Sequence, residues 1–152
     1  MNPRAYFVEI VQPLMALLRK ERQSVPLIYA CTMTLYHVVD YLAVDRNVRP
    51  DAIRSEIIEQ FPDFTFVYAL ATAQKHSVVR NKVAPGLGSK DIQPSRSSLV
   101  LLGGKLALLG GRPLVAKRPV VVSINGKNVN IFELLVRCEL FFAKHFASLQ
   151  GS

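Results

Sequence analysis

Two pairs of residues in this chain have types and spacing suited to proton chemistry on an anionic substrate. His37 and Asp40 lie three apart, a separation that puts both on one face of a helix. His76 and Arg80 lie four apart further on. An imidazole titrates near neutrality and can relay a proton, a carboxylate can orient it, and a guanidinium can steady developing phosphoryl charge. If the helices carrying them pack side by side, His37, Asp40, His76 and Arg80 converge on one site. Three readings compete for such a constellation: a buried polar network that fixes helix register, a metal site, and a metal-free site acting on phosphodiesters. Two histidines and an aspartate are ligand types for zinc or iron, but no local pair such as H-x-x-x-H occurs. Neither a metal nor a cofactor is expected.

Charge supplies the second signal. The net charge is +8, and all of it lies between Lys75 and Arg118. That segment holds Lys75, Arg80, Lys82, Lys90, Arg96, Lys105, Arg112, Lys117 and Arg118 against the single acid Asp91. The rest of the chain balances, with ten basic and ten acidic residues. Such asymmetry argues for a partner, here nucleic acid or another anion, rather than for a fold. Lys75, Lys82, Lys90, Arg96, Arg112, Lys117 and Arg118 are the phosphate-binding candidates. The segment contains no Phe, Tyr or Trp, so base stacking is not expected there and binding would follow phosphate charge and salt.

The elements that must position these residues read as helices first. Asn2-Pro3 is a cap followed by proline at the first helical position. Phe7, Ile10, Val11, Leu14, Leu17 and Leu18 then mark one buried face, with Pro13 expected to kink or break the run. Ser24-Val25-Pro26 opens a second helix to about Val44, apolar on most sides, which belongs in the middle of a bundle and would bury His37 and Asp40. It is long enough to raise the membrane question, but His37 and Asp40 sit mid-helix, so no membrane partner is expected. Asp51 to Gln60 forms a short amphipathic helix around Ile53, Ile57 and Ile58. Pro62 starts a fourth, with Phe66, Leu70 and Ala73, ending near His76 to Val79.

The texture then changes. Residues 81 to 98 are rich in Gly, Pro and Ser, as an irregular loop requires. Leu99 to Leu102 and Leu106 to Leu109 are short apolar strands, each closed by a Gly-Gly pair. Val120 to Ile124 ends at Asn125-Gly126, a hairpin signal, with a brief return strand near Asn128 and Val129. Asn130 caps the last helix and Glu133 stands at the capping-box position. Leu134, Leu135, Cys138, Phe141, Phe142 and Phe146 form its buried face, and His145 is a surface or helix-end residue. The fold class is mainly α: one domain, residues 1–152, of about five helices, with a basic loop and β-hairpin or meander (81–129) inserted between the helical part (1–80) and the last helix (130–148).

Cys31 and Cys138 fall in apolar helical patterns and read as buried thiols of a reducing compartment; with no targeting segment visible, the expected location is cytoplasmic. Gly86-Leu87-Gly88-Ser89-Lys90 lacks the spacing of a phosphate loop, and no G-x-S-x-G elbow is present.

The pattern Ala30-x-x-x-x-Leu35-Tyr36-His37-x-x-Asp40-Tyr41, with Arg80-Asn81 after a later helix, resembles the HEPN-like helical-bundle proteins. It is equally similar to a set of bacterial proteins with Ala-x-x-x-Lys-His, here Ala71 to His76, before a Gly-rich hairpin. HEPN resemblance implies a metal-independent ribonuclease of a toxin or defence system, built on an Arg followed four to six residues later by His. Here the order is reversed, His76 preceding Arg80. Three functions therefore stand: a self-associating accessory domain, expected as a homodimer through its leucine runs, whose basic insert meets an anionic partner; a HEPN-like ribonuclease; or a purely structural subunit.

Overall fold

The chain enters its first helix at Asn2, whose side chain accepts a hydrogen bond from the Ala5 amide at 2.7 Å, satisfying one of the amides a helix start leaves open. The computed structural model describes residues 1–75, 98–99, 101–102, 105–106, 108–109, 112–113, 115–116, 119–124 and 127–148. The opening rod has three parts: α1 (Pro3–Tyr6), a π turn (Phe7–Val11) and α2 (Gln12–Lys20). The kink expected from Pro13 takes the form of that π turn. Pro13 has no amide, and its ring would crowd the carbonyl one turn back. The widened turn, closed by the Gln12 amide on the Phe7 carbonyl, makes room for it. The turn also shifts the phase of the buried face. Phe7, Val11, Met15 and Leu18 are buried, whereas Ile10 and Leu17, expected inside, lie open.

Next come α3 (Val25–Asp45), α4 (Pro50–Gln60) and α5 (Phe64–Lys75), and the last rod is α6 (Ile131–Ser148). Helix α3 is the hub: every other rod packs on it. Among the described residues it is also the one helix long and apolar enough to cross a membrane, with 44% of that stretch buried inside the bundle. It stops in a Schellman-type turn. The amides of Asn47 and Val48 reach back to the carbonyls of Val44 and Ala43 at 3.2 and 2.9 Å. Asn47 sits there at φ 53°, a left-handed position that Asn tolerates.

The insert contributes short antiparallel pairs. β1 (Ser98–Leu99) pairs with β6 (Val115–Ala116), β2 (Leu101–Leu102) with β3 (Lys105–Leu106), and β4 (Leu108–Leu109) with β5 (Arg112–Pro113). The larger hairpin is β7 (Val121–Ile124) with β8 (Lys127–Asn130), in a register that sets Ile124 opposite Lys127. A two-residue connection of that register is what Asn125-Gly126 predicts. The return strand is four residues long rather than two. Val120, Val122 and Ile124 are buried while Val121 is open, the period-two pattern of a strand with one face on a core. The Ile131 amide donates to the Val120 carbonyl at 3.0 Å, so β8 runs into α6 with no intervening loop. The fold is the expected helical bundle with a small hairpin before its last helix.

Candidate functional site

His37 and Asp40 stand where their spacing predicts. On α3, His37 Nδ1 lies 2.7 Å from Asp40 Oδ2, one turn along the same face. Their surroundings correct the sequence reading: the side chains are 38% and 42% exposed, not buried at the centre of the bundle. The buried stripe of α3 is Ile28, Cys31, Thr32, Leu35, Val38, Val39, Leu42 and Ala43. His37, Asp40 and Tyr41 lie on the side that the other rods leave partly open. With Asp40 ionised, Nδ1–H donates to the carboxylate and fixes the tautomer, leaving the Nε2 lone pair for a proton from outside. The pair is an oriented acid–base group with access to water.

Around it gather four of the five tyrosines, a feature not read from the sequence. Tyr6 from α1 stacks on Tyr41 with ring centres 4.1 Å apart. Tyr36 meets the His37 ring edge-on at 5.7 Å and lies 5.9 Å from Tyr68 of α5. Arg54 of α4 covers Tyr68 at 4.5 Å and is held by Asp51 at 2.7 Å. Burial, then Tyr41 and the Asp40 charge, pushes the Tyr6 hydroxyl up to about 12. Burial first and Asp40 second also raise Tyr36, while Arg54 pulls it back. The Tyr6 and Tyr36 hydroxyls therefore stay protonated at neutral pH. The sequence signal for half of this cluster was adjacency, since Tyr36 and Tyr41 flank His37 and Asp40; Tyr6 and Tyr68 arrive only through packing.

The other predicted residues divide. Lys75 ends α5, and Arg112 lies in β5 opposite Leu109. His76, Arg80, Lys82, Lys90, Arg96, Lys117 and Arg118 lie outside the described residues. Among the described residues no group of three or more His, Cys, Asp or Glu side chains is placed to hold a metal.

Two further polar features were not anticipated. Glu139 of α6 is only 7% exposed and takes a bidentate contact from Arg19 of α2, with Nη1 at 3.3 Å from Oε1 and Nη2 on Oε2. Its signal was a lone acid inside the apolar run Leu134 to Phe142. His145, expected at the surface or at a helix end, lies in the last turn of α6 and is half-buried: it stacks near Phe141 and takes Arg46 at 3.4 Å. Burial, then Arg46, lowers its basicity, and Glu56 partly restores it. Both cysteines are buried as expected. Burial and the nearby Glu139 push the Cys31 thiol up to about 12, and the Cys138 thiol rises for the same two reasons, so neither is a nucleophile near neutrality.

Compared with protein-family models, curated proteins and solved structures, the chain matches none.

Proposed function

We propose that this domain is a self-associating accessory module that binds an anionic partner, nucleic acid in the first instance, through the segment from Lys75 to Arg118. One observation carries the reading. The whole net charge of +8 lies in that segment, while in the bundle Arg19, Arg46, Arg54 and Arg137 each have a carboxylate partner. Binding of this kind is dominated by counterion release and indifferent to sequence. Heparin and generic RNA should bind at low salt. If about six phosphates are engaged, affinity should fall by roughly three orders of magnitude between 50 and 200 mM salt. Absence of binding at low salt overturns the reading. Self-association is supported by the leucine runs of the insert and by open Ile10 and Leu17, and sedimentation should give a homodimer. A monomer at high micromolar concentration would sink that part.

The HEPN-like ribonuclease reading gains support from the geometry of His37 and Asp40. The catalytic set for this reading is His76, Arg80, His37 and Asp40, with Asp40 orienting an imidazole; the ring that lies beside Asp40 is His37. In this reading His37 exchanges the proton and Arg80 steadies the phosphoryl group. RNA cleavage should then fall at least about a hundredfold in His37→Ala. Cleavage that survives His37→Ala, His76→Ala and Arg80→Ala alike removes the assignment.

A further inference from the structure

On the far end of α3 from Asp45, a cavity of about 860 Å³ opens between the turn joining α2 to α3, Pro119 two residues ahead of the hairpin, and the start of α6. That volume is in the range of small-molecule sites. Its cationic wall comes from the last turn of α2 and the turn after it: Arg19, Lys20 and Arg22. Its apolar wall is Phe132 with Pro119, and Ser24 and Asn130, the residues that open α3 and α6, complete it.

The three cations are not equivalent. Arg19 is already committed to Glu139. Arg22 lies over the Phe132 ring at 4.9 Å, which holds the flat guanidinium in place while its N–H edges remain free to fork onto a phosphate. Lys20 is exposed and adds a compact charge beside it. Glu21, between Lys20 and Arg22 in the chain, and Glu133 also stand on the lining, so an anion is drawn to the Lys20 and Arg22 side chains themselves rather than to a net charge of the lining. The lining divides between these two cations and the apolar wall. A ligand matched to this division carries an anionic group at one end and a flat apolar group at the other.

We infer that the cavity is a phosphate-binding site for a nucleotide-type ligand, with Arg22 as anchor, Lys20 as second cation, and Pro119 beside the Arg22-capped Phe132 ring as the apolar wall for the base. This site lies on the folded bundle and stands whether or not the basic segment binds anything. A phosphate attached to a base has two sources, a free mononucleotide or a single-stranded nucleic acid, and the test separates them.

Inorganic phosphate, adenosine monophosphate and a short oligoadenylate are titrated separately into the labelled full-length protein, following the backbone amides of Arg22, Ser24, Phe132 and Glu133. The same titrations are run on Lys20→Gln/Arg22→Gln and, as a control outside the cavity, on Lys144→Gln. Because Lys20 and Arg22 are exposed, the double variant keeps the fold, checked by its melting curve. The expected result is saturable shifts at these four residues, weakened at least about tenfold in the double variant and unchanged in the control. Saturation by adenosine monophosphate assigns a free nucleotide, and saturation by the oligonucleotide alone assigns a strand. No shifts at millimolar ligand, or equal affinity in wild type and double variant, overturns the site. A double variant that keeps full affinity for long RNA while losing adenosine monophosphate separates this cavity from the basic segment.

Discussion

Two carboxylates hold basic side chains on opposite terms. Glu139 is buried and held by an arginine from a helix far away in sequence, tying α2 to α6. Asp40 is nearly half exposed and holds a histidine on its own helix. Moving a carboxylate out of water is costly, so Glu139 needs Arg19 for the fold to stand. Asp40 keeps its hydration and needs nothing. The difference teaches which pair can afford to do chemistry: an exposed, locally held imidazole can exchange protons without disturbing the core.

The contrast breaks if the buried pair proves dispensable. Arg19→Ala should cost about 3 kcal/mol, because it strands a buried charge, read as a fall in the urea midpoint with unchanged slope. Adding Glu139→Leu should recover most of that loss.

His145 offers an intermediate case. Its basicity is lowered from the ordinary value of 6.5 by burial and by Arg46, so the unfolded chain takes up the proton more readily than the folded one. The stability it contributes is therefore complete above pH 6.5 and is lost as the pH falls through the lower folded value. Urea midpoints should drop over that interval in the wild type, and less in His145→Gln.

The smallest effect is expected at Asp40. Asp40→Asn should change stability by less than about 0.5 kcal/mol, while the ring-nitrogen signals of His37 lose their single-tautomer pattern. A destabilisation like that of Arg19→Ala would instead make the pair structural and favour the purely structural subunit.

The sequence was most legible where local chemistry decides. Pro3 and Pro26 mark helix starts, Asn125-Gly126 the hairpin, and Asn130 the last helix, because a missing amide or a capping oxygen acts within a few residues. What depended on partners elsewhere was not legible. Helix α3 looks apolar nearly all round because its open side carries Tyr29, Ala30, Met33, Tyr36 and Tyr41, so His37 and Asp40 read as buried. Only the placement of the other rods decides which side closes. The π turn hid for a related reason. Pro13 announces a disturbance, but whether it bends or widens the helix is settled by how Met15 and Leu18 find the core. The pairing of Glu139 with Arg19 has no local signature at all.

The direct passage from β8 into α6, sealed by the Ile131 amide on the Val120 carbonyl, bears on how the chain tolerates change. The hairpin and last helix form one continuous stretch of sequence, and α1 through α5 form another. A change at this junction is therefore felt on both sides of it: a residue inserted between Asn130 and Ile131 would throw either β8 out of register with β7 or α6 out of phase with the core, since one face of each is buried.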